Sequence, residues 1–287
     1  MTEMRPRAMW CAAAVAAALL LLPAAVLTGG EPLLIDHTCT DIRNLPAEAI
    51  GKSKAGQKVA YGHTSHGSQI VSGMGALMRR APELFRFGKA GGLSFVDATP
   101  PGDLGNPDRT AWAARTREYL SGAGSDRNLM MWSWCGQAGS ASESDIRTYL
   151  ELMSGLEKEF PKVKFVYMTG HLDGSGKEGN LNLRNEQIRA FCKENGKILF
   201  DFADIESFDP DGKVNYMELG ATDACDYRRE GTRTNWADHW LEANPGHGIA
   251  LPESAAHTRP LNGALKGAAF WWMLARLSGW DGRPPSL

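Results

Sequence analysis

From residue 58 onward, short apolar runs alternate with longer stretches of helical periodicity, a pattern typical of alternating strands and helices. The predicted strands are Lys58–Tyr61, Leu93–Val96, Asn128–Trp134, Val163–Met168 and Ile198–Phe202. The predicted helices lie around Met74–Arg80 and at Thr110–Leu120, Ser142–Phe160, 184–195 and Leu261–Leu277. Strands linked by helices need right-handed crossovers, so we expect an α/β fold with a mainly parallel sheet, a three-layer α/β/α sandwich.

One helix and one irregular segment stand out in this pattern. Ser142 is a suitable N-cap with Asp145 three residues later, and Pro161 ends the periodic stretch that follows. By contrast, residues 206–256 are rich in Asp, Gly and Trp and show no clear period. No repeat or domain linker divides the chain, so residues 31–287 are predicted to form a single domain.

The N-terminal segment has the character of an export signal. Arg5 and Arg7 precede an apolar run from Ala8 to Leu27, and small residues follow it. A basic start, an apolar middle and small residues predict a signal peptide over residues 1–30 and a secreted or periplasmic product. The alternative is an uncleaved membrane anchor, because the run is about long enough to span a bilayer.

Charge and cysteine content narrow the choice of partners. The 287 residues carry a net charge of −2, which gives no electrostatic basis for binding nucleic acid. After the signal, four cysteines remain without any CxxC pair, so a structural zinc site is not indicated. They are Cys39, Cys135, Cys192 and Cys225. Either one disulfide forms, with a pairing that the sequence leaves open, or Cys135 stays a buried free thiol.

Polar residues follow the carboxyl end of each predicted strand, where ligands bind in open parallel sheets. Two histidines and two serines after the first strand are dense enough to suggest a nucleophile beside an imidazole, although such a turn also caps helices. Later strand ends and the last loop add further polar groups. The candidates are His63, Ser65, His66, Ser68, Gly105, Asn106, Gln137, His171, Asp173, Glu253 and His257.

The order of these groups resembles the SGNH/GDSL hydrolase superfamily from about residue 58 to residue 278. Gly62-His63-Thr64-Ser65 occupies the place of the family's serine block, Gly105 that of its second glycine, and Gly136-Gln137 that of its third block. Ser254-Ala255-Ala256-His257 stands where the family has DxxH. No Asp precedes the serine, Gln replaces Asn, and Ser254 replaces the triad aspartate, so the acid and the choice between Ser65 and Ser68 stay open.

This resemblance implies a flavodoxin-like fold and a serine esterase that needs no cofactor. Ser65 would attack an ester carbonyl, His257 would carry the proton, and Glu253 is the nearest acid. Gly105, Gln137 and Asn106 would hold the oxyanion. The remaining site positions would bind a small or carbohydrate ester, with tryptophan faces available to a sugar: His63, His66, Trp134, His171 and Asp173, with Trp112 and Trp132 near them.

Two other functions stay open from the sequence. The side chains of His63, His66, His171 and Asp173 offer a metal-ligand set, which would make the protein a metal-dependent hydrolase or lyase. Loss of the family's usual aspartates would also suit a carbohydrate-binding relative without catalysis.

Overall fold

The computed structural model describes Met1 and residues 30–283, and most of the predicted signal segment therefore lies outside the described residues. Its strands are β1 (Leu33–Ile35), β2 (Lys58–Gly62), β3 (Ser94–Val96), β4 (Leu129–Trp132), β5 (Lys164–Met168), β6 (Ile198–Phe200), β7 (Asp226–Arg229) and β8 (Thr232–Asn235). The five predicted strands are confirmed as β2 to β6. In residues 30–283, no helix has the length and apolar character needed to cross a bilayer.

Nine helices occur in the described residues, and the five predicted ones are among them. They are α1 (Ala47–Gly56), α2 (Ser68–Arg80), α3 (Pro82–Phe85), α4 (Ala111–Ser121), α5 (Glu143–Glu159), α6 (Asn180–Glu194), α7 (Phe202–Glu206), α8 (Trp236–Ala243) and α9 (Pro260–Leu277). Helix α5 begins with a capping box. The Ser142 hydroxyl accepts from the Asp145 backbone N–H, and the Asp145 carboxylate accepts from the Ser142 backbone N–H. The segment that the sequence left irregular contains α8 and the antiparallel hairpin β7–β8.

The main sheet has six strands in the order β1-β6-β5-β4-β2-β3, and every pairing in it is parallel. Without the edge strand β1, this is the flavodoxin-like order, which reverses between β2 and β4. The predicted three-layer α/β/α architecture is therefore observed. The strand that the sequence did not predict, β1, joins the sheet as a parallel partner of β6.

Side chains on the two faces of the sheet enter separate cores. Val59 and Tyr61 of β2 pack on one face with residues of α1, α2 and α9. Ala60, between them, enters the other core with residues of α4, α5 and α6. Because helices cover both faces, the open ends of the strands are the part of the sheet available for a ligand.

Candidate active site

Two turns meet where the strand order reverses, and each supplies a reactive side chain. His66 lies in the turn between β2 and α2, and Cys135 lies just after β4. The strands β2 and β4 are hydrogen-bonded neighbours, so their carboxyl ends are adjacent. This is the position at which open α/β sheets bind ligands.

The imidazole of His66 lies between a thiol and a carboxylate. Its Nδ1 atom is 3.0 Å from Cys135 Sγ, and its Nε2 atom is 3.0 Å from Asp223 Oδ2. An ionised carboxylate only accepts hydrogen bonds, so Nε2 carries a hydrogen when the ring is neutral, and Nδ1 offers its lone pair to the thiol. The hydroxyl of Ser65 lies 3.5 Å from the same sulfur. A thiol, a base and an orienting acid are thus aligned.

The surroundings favour the neutral form of His66. Burial lowers the pKa of His66 below its ordinary value of 6.5, and the charges of His171 and His257 act in the same direction, against Asp223 and Glu206. Burial acts to raise the pKa of Asp223, but its hydrogen bond from His66 and the nearby imidazoles outweigh burial and hold that pKa below 3.8. At neutral pH the pair therefore consists of a neutral imidazole and a carboxylate, as a general base requires.

Two further histidines flank His66 face to face. The His171 ring stacks on one side with its centroid 3.8 Å away and its plane within 5°, and the His257 ring on the other side at 4.3 Å and 10°. The His171 Nδ1 atom is 2.9 Å from the Leu172 carbonyl oxygen, which fixes its hydrogen on that nitrogen. His257 adopts a φ of 64°, in the left-handed region that non-glycine residues rarely occupy.

A buried aspartate holds the two turns in place. Asp103 is 2% exposed and accepts hydrogen bonds from the Thr64 hydroxyl at 2.5 Å and from the Gln137 amide at 3.1 Å. The carbonyl oxygen of the same Gln137 amide accepts from the Cys135 backbone N–H at 3.0 Å. Asp103 therefore fixes the turn after β2 relative to the turn after β4.

The close approach of these turns also requires glycine at position 67. A Cβ atom there would lie 2.3 Å from the His63 Cβ and from the Ser133 hydroxyl oxygen. Since real Cβ atoms do not approach so closely, any other residue would displace the turn that carries His66.

Asp223 reaches the site through backbone pairing in the segment that the sequence left unassigned. Its N–H donates to the Leu172 carbonyl at 3.0 Å, and Thr222 forms an isolated bridge with Asp173. The loop after β5 thus carries both His171 and the backbone to which Asp223 is attached. No local pattern around Asp223 indicated this role. Cys135 had one usable signal, its position directly after a buried strand.

The predicted catalytic residues are only partly brought together. Ser65 and His257 both lie at the site, but His257 stacks on His66 and, within residues 30–283, donates no hydrogen bond to Ser65 or Ser68. The Ser68 hydroxyl instead donates to the Ser65 carbonyl at 2.6 Å. Glu253 is exposed on the loop before α9.

The predicted oxyanion residues lie close together, but the Gln137 amide already donates its hydrogen bond to another residue. Gly105 has a φ of 82° and lies close to the Gln137 side chain. The Gln137 amide, however, donates to Asp103, and Asn106 is exposed. The arrangement therefore gives Gln137 a bracing role between the two turns.

Three of the predicted substrate-binding residues are engaged elsewhere. His63 is bonded to Asp97 and to the Thr64 carbonyl, and Asp173 accepts from the N–H and hydroxyl of Ser175 in a turn. The indole of Trp134 is 3% exposed and donates to the Met168 carbonyl, so its faces are not open to a sugar. The rings of Trp112 and Trp132 are buried as well.

The predicted metal-ligand set is not a cluster, because His63 and Asp173 have these other partners. Among the described residues near the sheet mouth, the donor atoms that lie within 4.8 Å of one another belong to His66, Asp223 and His257. The near-parallel stacking of the His66 and His257 rings opposes joint ligation, since their in-plane lone pairs do not converge at the roughly 2.0 Å that a metal needs.

The other thiols contrast with Cys135. The four cysteines of the described chain are all free, as the free-thiol alternative for Cys135 predicts, but Cys135 is partly exposed and not buried. Burial raises the pKa of Cys39 to about 11 and that of Cys225 to about 12, and it also raises the pKa of Cys192. Cys135 alone among them is partly exposed and beside an imidazole.

Comparison with known proteins adds no identification. No protein-family model matches the chain, and no curated protein matches it.

Proposed function

We propose that this protein is an exported ester hydrolase in which Cys135 is the nucleophile, His66 the general base and acid, and Asp223 the orienting carboxylate. The observation that carries the proposal is the His66 ring between the Cys135 sulfur and the Asp223 oxygen, 3.0 Å from each. The site's position where the strand order reverses supports it. The hydrolase class agrees with the SGNH/GDSL resemblance, but the thiol takes the place of the serine expected from that resemblance.

In the first half of the reaction, His66 Nδ1 takes the thiol proton while the Cys135 sulfur bonds to the ester carbonyl carbon. Collapse of the tetrahedral intermediate breaks the bond to the alcohol oxygen, and His66 returns the proton to that oxygen. The acyl group is left on sulfur as a thioester. His66 then takes a proton from water, the hydroxide adds to the thioester, and the carbon–sulfur bond breaks. The acid is released and the thiol regains its proton.

The proposed substrate is a small ester or an ester-substituted carbohydrate. The burial of Trp112, Trp132 and Trp134 removes the stacking argument for a sugar, so a small ester is the better supported class. Export rests on the signal-like segment 1–30, and cleavage of that segment would leave a secreted or periplasmic enzyme. A new N-terminus near Gly30 in the secreted product is the result that supports cleavage.

The test is hydrolysis of p-nitrophenyl acetate by the wild type and by Cys135→Ala, Cys135→Ser, Ser65→Ala and His257→Ala. We expect Cys135→Ala to lose activity by about 10³-fold or more, because the attacking sulfur of the proposed mechanism is removed. Ser65→Ala should retain most of the activity, and His257→Ala should lose far less than Cys135→Ala does. Full activity in Cys135→Ala with loss in Ser65→Ala and His257→Ala would replace this mechanism with the serine mechanism.

The second candidate is a metal-dependent enzyme. The proximity of donor atoms from His66, Asp223 and His257 favours it, whereas the parallel stacking of the His66 and His257 rings opposes it. Elemental analysis of the purified protein and hydrolysis after treatment with EDTA distinguish it from the thiol mechanism. Stoichiometric metal, with activity that EDTA removes and zinc restores, would favour this candidate. Glycan binding without any turnover would instead favour a non-catalytic binding protein.

A further inference from the structure

A fully buried ion pair lies beneath the candidate site. Lys266 of α9 and Glu206 at the end of α7 are both 0% exposed, and Lys266 Nζ is 2.7 Å from Glu206 Oε1. The ammonium group also lies 3.8 Å from the centre of the Phe202 ring. Burial lowers the pKa of Lys266, against the attraction of Glu206.

Glu206 connects this pair to the loops that carry two of the stacked imidazoles. Its Oε2 atom accepts from the Leu172 N–H at 2.7 Å, directly beside His171. Its Oε1 atom accepts from the Asn262 amide at 3.1 Å, and that amide also donates to the Thr258 hydroxyl at 2.8 Å, directly beside His257.

Lys266 connects the pair to the third imidazole through Gln69. The ammonium donates to Gln69 Oε1, and the Gln69 amide donates to the Ala256 carbonyl at 2.6 Å, on the other side of His257. The Gln69 backbone N–H donates to the His66 carbonyl at 3.1 Å. His66, His171 and His257 thus each adjoin a residue that this network holds.

The physical cost of the pair argues that it serves more than stability. Desolvating two charges offsets much of their attraction, and apolar replacements of buried ion pairs often leave a protein equally stable. Here the hydrogen bonds of the pair end at residues next to the site histidines, and one of those histidines, His257, holds an unfavourable φ.

We propose that Lys266 and Glu206 are positioning residues that hold the three-histidine stack, and through it His66, in line with Cys135. This inference rests on the proposed function, because it assigns the pair to the geometry of that thiol site. The network acts through backbone and amide contacts and does not itself contact a substrate.

The test compares two double variants with the same chemical change. Glu206→Gln/Lys266→Met removes both charges at the site, so no unpaired buried charge is left. Glu157→Gln/Lys197→Met removes a second ion pair, next to the amino end of β6 and therefore at the opposite end of the strands from the site. The rate of Cys135 alkylation by iodoacetamide at pH 7 is measured by peptide mass spectrometry, beside kcat/KM for p-nitrophenyl acetate and a circular dichroism melt.

We expect the Glu206/Lys266 variant to lose about tenfold or more in both rates while it remains folded, because a small displacement of the reacting groups has an effect of that order. The Glu157/Lys197 variant should match the wild type. Wild-type rates in a folded Glu206/Lys266 variant would overturn the proposal. If that variant does not fold, Gln69→Met gives the test, since it leaves the ion pair intact but frees the Ala256 carbonyl, and unchanged rates there overturn the proposal.

Comparison with His66→Ala separates this inference from the proposed function. Equal alkylation rates in wild type and His66→Ala would mean that the imidazole does not activate the thiol, and both proposals would fail. A faster wild type, with the Glu206/Lys266 variant equally fast, would overturn the positioning role alone.

Discussion

His63 and His66 lie three residues apart after the same strand, and each places Nε2 against a carboxylate. His63 Nε2 is 2.7 Å from Asp97, and His66 Nε2 is 3.0 Å from Asp223. Their Nδ1 atoms differ: that of His63 faces the Thr64 carbonyl, whereas that of His66 faces the Cys135 sulfur. A carbonyl oxygen only accepts, so Nδ1 of His63 carries a hydrogen and offers no lone pair to a donor, whereas Nδ1 of His66 offers its lone pair to the thiol.

The comparison shows that a carboxylate–imidazole pair does not by itself make a reactive site. Reactivity depends on the group that contacts Nδ1. For His66 that group is the Cys135 thiol, which follows a different strand. His63 is held by a hydrogen bond to the carbonyl of the next residue, Thr64, and stabilises the turn. His66 joins elements that are distant in sequence, and its role depends on how the sheet brings them together.

The largest expected difference comes from replacing each histidine by glutamine. His66→Gln should lower kcat/KM for p-nitrophenyl acetate by about 10²- to 10⁴-fold, because the general base is lost. His63→Gln should change kcat/KM little and instead lower the free energy of unfolding by about 1 kcal/mol, through loss of its partly buried hydrogen bonds. Kinetics and urea unfolding of both variants test this, and equal kinetic losses would remove the distinction between the two histidines.

Replacing the two carboxylates should give a kinetic difference in the same direction as replacing the two histidines, but a smaller one. Asp223→Asn can present an N–H to His66 Nε2, which favours the tautomer with its hydrogen on Nδ1 and blocks transfer from the thiol. We expect roughly a ten- to hundredfold loss in kcat, since the imidazole itself remains. Asp97→Asn, matched in chemistry, should retain wild-type kinetics. A kinetic loss confined to Asp97→Asn would reverse the assignment.

The sequence predicted the sheet better than the site, for physical reasons. Strands β2 to β6 and the cap of α5 depend on local patterns of apolar residues and on Ser142, so they could be predicted. The residues Leu33–Ile35 form too short a run to signal a strand, and their place beside β6 is a tertiary property. Asp223 lies in a segment without periodicity, and only its backbone bond to Leu172 brings it to His66.

Burial on both sheet faces also limited the prediction for individual residues. Trp134 follows a central strand, and the sequence does not tell whether its ring faces a ligand or the helices; in the fold it packs edge-on against Tyr149. Lys266 occurs in an otherwise apolar helix, and its pairing with Glu206 depends on how α7 and α9 pack. Such contacts join elements that no short motif connects.

The pH dependence of kcat/KM should show whether the flanking imidazoles change the pKa of His66. Activity needs neutral His66, and its pKa lies below 6.5, so kcat/KM should fall only as the pH drops below that value. The His257 imidazole acts electrostatically in this lowering, so His257→Gln should raise the pKa of His66 and move the acid limb to higher pH by a fraction of a unit. A limb that moves to lower pH in this variant would contradict the electrostatic account.

The smallest effect concerns a third histidine–carboxylate pair, distant in sequence from the thiol. The hydrogen bond from His37 to Asp204 raises the pKa of His37 above 6.5, against the effect of burial. Its stabilising contribution is therefore complete below pH 6.5 and is lost as the pH rises through the raised value. In urea unfolding, His37→Gln should be destabilised relative to wild type by about 1 kcal/mol more at pH 5.5 than at pH 8.5. An equal or larger deficit at pH 8.5 would contradict this sign.

The most direct test of the thiol mechanism is to locate the acyl group during turnover. Wild-type protein is mixed with p-nitrophenyl acetate, quenched with acid within the first turnovers, and digested for peptide mass spectrometry. We predict an acetyl group on Cys135, absent in His66→Gln under the same conditions. An acetyl group on Ser65 or Ser68, with Cys135 unmodified while p-nitrophenol is released, would contradict the account.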